Sequence, residues 1–327
     1  MPKTLITGDL HFSENPRDDY RFEIVETLIR LVRTHKAETL MILGDLTEAK
    51  DRHSAWLTNR IVDIVMRLAK ECFVVILKGN HDYLSDPSTP FFRFLDHLEN
   101  VWWINDPAFA YSPVYLPHTR NYKEDWAGLD LEVGVIYAHN TFVGANLGHG
   151  LEAKEEQGAI PLSVFPWPKV TRVISGDVHT PQTVGPVIYV GAPYQIDFGD
   201  DYRPRVLLLD EETMALKSIL LSGPQKRLVE VESMAALKRV KANPGDILKV
   251  RMSLDPEEHA EWPQRQAAIR EWGEKHGYTI HQVQPMVEGV HPTNIVPLHK
   301  SDEQIVRDYA NQNRVPPTTV KTGLKLL

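Results

Sequence analysis

Apolar residues in the first part of the chain occur in two kinds of segment that alternate. Short continuous apolar runs at residues 4–7, 39–43 and 73–77 have the length and β-branched content of buried strands. The two segments between them, residues 20–35 and 54–70, carry apolar residues at helical spacing. Strands and helices that alternate in this order predict a parallel sheet with helices on its faces.

The second part of the chain contains mostly short apolar runs. We interpret as strands residues 101–104, 111–116, 129–138, 170–174, 187–190, 206–209 and 217–221. Residues 87–98 predict a short helix, and the Gly- and Pro-rich residues 141–168 predict a surface loop. The whole pattern indicates an α/β fold, turning to α+β at its C-terminal end, in which two stacked β-sheets are flanked by helices.

The pattern changes near Ser222-Gly223-Pro224. Beyond this point, short strands at residues 229–231, 247–252 and 278–283 and a helix at 257–275 predict a small α+β unit. We therefore divide the chain into a first domain at residues 1–222, a small α+β domain at 223–290, and a linker with C-terminal helices at 291–327.

The composition narrows the class of protein. Of 327 residues, 42% are hydrophobic, which is enough for a sizeable core, and the formal net charge of −8 disfavours binding to nucleic acid by overall charge alone. The single cysteine, Cys72, excludes an intrachain disulfide and suits a reducing cytoplasm. No apolar run approaches the roughly 18 residues of a membrane-spanning helix, and the apolar N-terminal segment is too short for a signal peptide. We therefore expect a cytoplasmic protein.

Polar residues with metal-binding side chains follow several of the predicted strands. They are Asp9, His11, Asp45, Asn80, His81, His139, Asp177 and His179. Carboxylates, imidazoles and one amide suit manganese or iron better than structural zinc, which prefers thiolates. The set is too large for one ion and fits two, and two adjacent metals can clamp the attacking and leaving oxygens of a phosphoryl displacement. The alternatives are that the aspartates are turn residues and that the histidines are buried in the core.

The order and spacing of these motifs resemble those of one family. The blocks Asp9-x-His11, Gly44-Asp45, Gly79-Asn80-His81-Asp82, His139 and Gly176-Asp177-x-His179 resemble the calcineurin-like metallophosphoesterase superfamily. The segment Tyr189-Val190-Gly191-Ala192-Pro193-Tyr194-Gln195-Ile196-Asp197-Phe198-Gly199 resembles SbcD-type nucleases, the nuclease subunits of DNA-repair complexes that contain an SMC-like ATPase. The resemblance implies the metallophosphoesterase fold, with the small α+β domain capping DNA.

The resemblance also implies roles for the residues. It implies that Asp9, His11, Asp45 and His179 hold the first metal, and that Asp45, Asn80, His139 and Asp177 hold the second. A hydroxide between the metals would attack phosphorus, and His81 would stabilise the transferring group or protonate the leaving oxygen. Asp82 would orient His81. Manganese is the expected metal, with magnesium as the alternative.

One ligand position departs from the family pattern. Asp177 stands where the family usually has histidine. A carboxylate can ligate manganese or magnesium through oxygen, so the second site need not be lost. We expect the substitution to shift metal preference toward magnesium with activity retained.

The resemblance to SbcD-type proteins implies a DNA exonuclease or endonuclease subunit of a recombination and repair complex. Its implied partners are DNA, an SMC-like SbcC-type ATPase bound by the C-terminal helices, and a second copy of the nuclease in a heterotetramer. The chain would then act in a bacterial cytoplasm, or in a host cytoplasm if a phage encodes it. Two rivals stay open: another metallophosphoesterase, either a small-molecule phosphodiesterase or a phosphatase, and a catalytically idle scaffold for the ATPase. Protein phosphatases usually follow Gly-Asp with Asp-Arg-Gly, whereas this chain has Leu46-Thr47-Glu48.

Overall fold

Two six-stranded sheets and one three-stranded sheet form the framework of the residues that the structure describes. The computed structural model describes residues 2–85, 89–109, 113–148, 150–167, 169–254, 261–287 and 320. The strands are β1 (Lys3–Thr7), β2 (Thr39–Ile42), β3 (Phe73–Leu77), β4 (Val101–Ile104), β5 (Ala108–Phe109), β6 (Val114–Leu116), β7 (Val135–His139), β8 (Arg172–Gly176), β9 (Gln182–Val184), β10 (Val187–Tyr189), β11 (Arg205–Asp210), β12 (Leu216–Leu220), β13 (Lys226–Val231), β14 (Ile247–Leu254) and β15 (Thr279–Val287). The α-helices are α1 (Ile24–His35), α2 (Ala55–Ala69), α3 (Tyr122–Asp125), α4 (Met234–Leu237) and α5 (Trp262–Lys275).

The first sheet has the order β12-β11-β1-β2-β3-β4. Strands β1 to β4 are parallel, because α1, α2 and the segment after β3 each return the chain to the same end of the sheet. Strands β11 and β12 pair antiparallel on the β1 side. The residues that follow β1, β2 and β3 therefore lie together at one edge.

The second sheet has the order β5-β6-β7-β8-β10-β9. Its central strands β6, β7, β8 and β10 are parallel, and β5 and β9 are antiparallel edge strands. The carboxyl ends of β7 and β8 are adjacent, which brings His139 beside Gly176 in register.

The two large sheets pack face to face. Successive residues of a strand point to opposite faces, so in β1 Ile6 enters the core between the sheets whereas Leu5 enters the core under α1 and α2. Tyr137 and Ile174 of the second sheet line the shared core from the other side. This arrangement confirms the predicted α/β fold with two stacked sheets flanked by helices.

The third sheet, β13-β14-β15, is parallel throughout and lies in the segment predicted as a small α+β unit. Ile269 and Trp272 of α5 pack on its buried face. The boundaries of the predicted domains stay a prediction, and residues 288–300 and the C-terminal helices lie outside the described residues apart from Val320.

Several elements differ in extent from the sequence prediction. A 3₁₀ helix at Pro16–Glu23 precedes α1, with Pro16 and the side chain of Asn15 at its start, so the predicted helix begins later. A second 3₁₀ helix, Phe91–His97, lies within the short helix predicted at residues 87–98. Within the described part of the chain, no helix combines the length and the apolar character needed to cross a bilayer.

Candidate metal centre

The predicted site residues meet where the carboxyl ends of β1, β2, β3, β7 and β8 converge. The backbone N–H of Asp9 donates to the Gly44 carbonyl at 3.1 Å, and the N–H of His11 donates to the Asp45 carbonyl at 2.9 Å. The N–H of Asp177 donates to Asp9 Oδ1 at 3.0 Å, which joins the second sheet to the first. Hydrogen bonds between loops therefore fix the site from both sheets.

Four residues of the site have a left-handed backbone conformation. Their φ angles are 54° at Asp9, 41° at His11, 53° at Asp45 and 77° at Asp177. Few non-glycine residues adopt positive φ, and such conformations persist only where the surrounding structure enforces them. Each turn aims its side chain back toward the convergence point instead of continuing the strand.

Three glycines let the loops approach closely. A Cβ at Gly44 would lie 2.2 Å from His139 Nδ1, one at Gly79 would lie 2.2 Å from Asp45 Oδ1, and one at Gly176 would lie 2.3 Å from the Leu43 carbonyl oxygen. Any side chain at these positions would therefore push the ligand-bearing loops apart.

Asp9, His11 and His179 form the first cluster of side chains. Their potential ligand atoms lie within 4.8 Å of one another. His11 Nε2 is 3.1 Å from His179 Nε2 and 3.4 Å from Asp45 Oδ2. Asp9 Oδ2 is buried and has no hydrogen-bond partner among the described residues. A buried carboxylate oxygen without a partner beside two imidazole nitrogens is what a cation-binding site provides.

Asn80, His139 and Asp177 form the second cluster. His139 Nε2 is 3.1 Å from Asn80 Oδ1, 3.4 Å from Asp45 Oδ1 and 3.7 Å from Asp177 Oδ1. His139 Nδ1–H donates to the Leu43 carbonyl, so Nε2 points into the cluster and offers a lone pair to a cation when the ring is neutral. The hydroxyl of Thr141 donates to Asp177 Oδ2 and holds that carboxylate.

The polar atoms of the second cluster fit a cation. The Asn80 amide oxygen lies 3.0 and 2.9 Å from the two Asp45 carboxylate oxygens, which can only accept, and 3.1 Å from His139 Nε2, which accepts when the ring is neutral. Either a cation among these atoms or a rotated amide that donates to Asp45 relieves their repulsion. Carboxylate oxygen, amide oxygen and imidazole nitrogen suit a divalent ion such as manganese or magnesium.

Burial and like charges make this site electrostatically costly without a cation. Burial raises the pKa of Asp9 to about 6 and also raises the pKa of Asp45. Burial opposes the charged form of His139, but the neighbouring Asp45 and Asp177 carboxylates outweigh it and raise the pKa of His139 to about 9. Divalent ions would supply the positive charge that these carboxylates lack.

His81 lies beside the first cluster. A nitrogen of its ring is within 4.8 Å of the potential ligand atoms of His11 and Asp45. Its backbone N–H donates to Asp45 Oδ1 at 2.8 Å, and its Nδ1–H donates to the Glu48 carbonyl at 2.7 Å. The Glu48 carbonyl therefore orients the ring and leaves Nε2 for a substrate.

The expectation that Asp82 orients His81 is wrong. The buried Asp82 carboxylate accepts three backbone N–H groups instead, from Gly79 at 2.6 Å, Asp45 at 3.0 Å and Leu46 at 3.1 Å. Asp82 turns inward because these amides follow strand ends and have no ladder partner. It therefore binds the loop after β2 to the loop after β3.

Sequence reasoning missed three residues that help to hold the metal centre in place, which are Arg21, Glu48 and Tyr194. Arg21 is buried and donates to the His11 carbonyl and, at 3.0 Å, to Glu48 Oε2. The Tyr194 hydroxyl donates to the Leu10 carbonyl. Arg21 and Glu48 belong to no motif, so nothing in the sequence pattern singles them out. Tyr194 lies in the segment that resembles SbcD-type nucleases, which was the one available signal.

Comparisons with known proteins agree with the geometry. The chain matches the calcineurin-like phosphoesterase family over residues 2–181. It is 26% identical over 261 residues to the 244L protein of Invertebrate iridescent virus 6, which is named as a phosphoesterase, and the match covers 70% of this chain and 86% of that protein.

Two solved structures are more distantly similar. One is an archaeal phosphodiesterase, at 14% identity and a TM-score of 0.35 over 67% of this chain and 99% of the other. The second is the nuclease MPE of Pseudomonas putida, at 18% identity and a TM-score of 0.35 over 63% of this chain and 84% of the other. Similarity at this level carries no information about the substrate.

Proposed function

The chain belongs to the calcineurin-like phosphoesterase family and is a metal-dependent phosphoester hydrolase; on that premise we propose that it is a two-metal nuclease that cleaves DNA. In this proposal Asp9, His11, Asp45 and His179 hold one metal, and Asp45, Asn80, His139 and Asp177 hold the other. Manganese is the proposed metal, with magnesium as the alternative.

The position of Asp45 is the observation that carries the two-metal proposal. Its Oδ2 lies 3.4 Å from His11 Nε2 in the first cluster, and its Oδ1 lies 3.4 Å from His139 Nε2 in the second. One carboxylate thus faces ligand atoms of both clusters, as a bridging ligand must. Two ions held in this way would polarise a phosphoryl oxygen and lower the pKa of a water molecule.

The protein's own groups around the metals support cleavage of a phosphoester. No described residue hydrogen-bonds to His81 Nε2, which can therefore contact a phosphoryl oxygen, and a charged His81 can donate its Nε2 proton to the leaving oxygen. The Glu48 carbonyl holds the ring through Nδ1 in either case. Asp82 keeps Asp45 and Gly79 in place and does not touch the reacting atoms.

The choice of DNA as substrate is supported by the residues that resemble SbcD-type nucleases. In the structure Tyr194 contacts the loop that carries Asp9 and His11, and Gln195 Oε1 accepts the backbone N–H of Lys226 in the third sheet at 2.7 Å. That segment therefore joins the metal centre to the small α+β unit. By the same resemblance we propose an SMC-like ATPase and a second copy of the chain as partners.

Digestion of end-labelled linear DNA tests the proposed activity. We expect manganese-dependent degradation by the wild type. In His81→Ser we expect the rate to fall by about 100-fold or more, because a proton-transfer group typically contributes 10²–10⁴-fold. His97→Ser is the matched control, since His97 is exposed in the 3₁₀ helix Phe91–His97. Equal rates in wild type and His81→Ser would show that His81 takes no part in the reaction.

The two rivals give different results in companion assays. A phosphatase would hydrolyse 4-nitrophenyl phosphate faster than bis(4-nitrophenyl) phosphate, whereas a phosphodiesterase would prefer the diester. An idle scaffold would hydrolyse neither, and the protein purified without chelator would contain no stoichiometric metal. Degradation of DNA only when the ATPase and ATP are added would establish the partner requirement.

A further inference from the structure

A cavity of about 480 Å³ opens beside the proposed metal centre, between the carboxyl ends of β4 and β6. This volume is within the range of pockets that bind small organic ligands. Its walls combine basic, amide, carboxylate and aromatic side chains. None of the described residues that line it belongs to the proposed metal ligands.

His118 connects this cavity to the metal centre. It lines the large cavity and also a neighbouring one of about 280 Å³ that reaches Asn80 and Asp177. The backbone N–H of His118 donates to the Lys78 carbonyl at 2.8 Å, and its Nδ1 is 2.9 Å from the Tyr83 hydroxyl. A ligand chain could therefore run from the metals past His118 into the large cavity.

The basic groups of the cavity are grouped around one aromatic ring. Lys78 Nζ lies 4.8 Å and Arg120 Cζ lies 5.0 Å from the centroid of the buried Tyr83 ring. Lys78 is two residues before Asn80, so it lies on the side of the cavity toward the proposed metal centre, and Arg120 lies beside the same Tyr83 ring. Two cations beside a path from a phosphoesterase centre suit a phosphate group.

The cavity wall also carries hydrogen-bonding groups of a different kind. Asn105 follows the edge strand β4, one strand farther from the metals than Asn80, and Glu124 lies in α3. The Asn121 side chain donates to Glu124 Oε2 at 2.7 Å and orients that carboxylate. Amides and carboxylates together can donate to and accept from the edge of a nucleobase or a sugar hydroxyl, whereas carboxylates would repel a second phosphate.

We propose that this cavity is a nucleotide subsite, which binds the nucleotide next to the cleaved bond with its phosphate at Lys78 and Arg120 and its nucleoside against Asn105 and Glu124. The inference rests on the proposed nuclease function, because it assumes a strand that continues from the metal centre. In this proposal the four cavity residues contribute to the affinity for substrate, and the metal centre carries out the chemistry.

Calorimetric titration with thymidine 5′-monophosphate in EDTA tests the subsite directly. The chelator removes divalent ions, so phosphate can no longer bind to metal ions at the metal centre. We expect the wild type to bind the nucleotide, and Arg120→Ala and Lys78→Gln to bind it about 10-fold more weakly or worse, since hydrogen bonds to charged groups are worth 1.5–3 kcal/mol. Arg30→Ala, at an exposed arginine of α1, should bind like the wild type.

Three results would overturn the inference: no nucleotide binding at millimolar concentration, equal affinity in wild type and both cavity variants, or inorganic phosphate binding as tightly as the nucleotide. Hydrolysis of bis(4-nitrophenyl) phosphate separates this failure from failure of the proposed function, since that diester is too small to need the subsite. Diester hydrolysis without nucleotide binding rejects the subsite alone.

With DNA as substrate, Arg120→Ala should raise KM about 10-fold and leave kcat unchanged, which is the scale of one lost charged contact.

Discussion

Gly79 shows how strictly single residues constrain the metal centre. A Cβ at this position would meet Asp45 Oδ1 at 2.2 Å and the Asp45 backbone nitrogen at 2.4 Å. We expect Gly79→Ala to lower the free energy of unfolding by about 1–3 kcal/mol, the cost of an overpacked site, and to weaken metal binding because Asp45 must move. Urea unfolding and metal titration measure the two effects.

Gly223→Ala is the matched control for that change. A Cβ there would meet no atom within 4 Å, so its stability should stay within about 0.5 kcal/mol of the wild type, as for most surface substitutions. Equal stability of the two variants would mean that the loop after β3 can shift away from Asp45 at no cost.

Asp177 stands where the motif resemblance predicts histidine. Its carboxylate lies 3.7 Å from His139 Nε2 and is held by Thr141. An oxygen ligand suits magnesium better than an imidazole nitrogen does, so we expect Asp177→His to shift the preference for manganese over magnesium upward by about 10-fold. Competitive binding of the two ions measures the ratio.

Asp63→His is the matched control for Asp177→His. Asp63 is exposed in α2, so its replacement should leave the preference for manganese over magnesium unchanged. An unchanged preference in Asp177→His as well would show that Asp177 does not contact the metal, and the second cluster would then hold its ion through Asp45, Asn80 and His139 alone.

At the scale of elements, the loops after β2 and β3 are joined by Asp82. Its carboxylate accepts backbone N–H groups from Gly79, Asp45 and Leu46. In Asp82→Asn one carboxylate oxygen becomes an NH₂ group that faces donors, so we expect a loss of about 2 kcal/mol in the free energy of unfolding of the metal-free protein. Chemical unfolding in EDTA measures it.

If Asp82 acted only by orienting His81, Asp82→Asn would lower activity without lowering the metal-free stability. His81→Ser should lower activity with little change in metal-free stability, whereas Asp82→Asn should lower both. If Asp82→Asn keeps the wild-type stability and loses only activity, the role assigned to Asp82 by its hydrogen bonds is wrong.

The same loops show what the sequence could and could not predict. The strands were predictable because buried runs such as residues 73–77 are continuous and end in Gly, Asp or Asn. The convergence of their ends followed from parallel pairing. The partner of Asp82 was not predictable, because three backbone amides leave no pattern in side-chain types. The role of Glu48 was not predictable either, because it holds His81 through its backbone carbonyl. The two-residue strand β5 and the three-residue strand β9 are too short to show periodicity.

At the scale of the whole molecule, one chain of contacts connects the third sheet to the metal centre. Lys226 in β13 is buried, donates from Nζ to the Ile196 carbonyl at 2.7 Å, and lies 4.0 Å from Asp18. Asp18 in turn lies 3.3 Å from Arg21, which donates to the His11 carbonyl. The position of the third sheet is thus linked to the backbone that carries His11.

Removal of the Lys226 charge tests whether these contacts hold the third sheet in place. Burial lowers the pKa of Lys226, and its ammonium lies over the rings of Tyr20 and Phe198. Lys226→Met keeps the apolar stem and leaves the Ile196 carbonyl and Asp18 without their cation, so we expect a loss of about 1–3 kcal/mol in stability. We also expect faster proteolysis at Ser222-Gly223-Pro224, where the third sheet joins the rest. Lys217→Met, at an exposed position of β12, should change neither. If the two variants are cleaved at the same rate, contacts other than Lys226 hold the sheet.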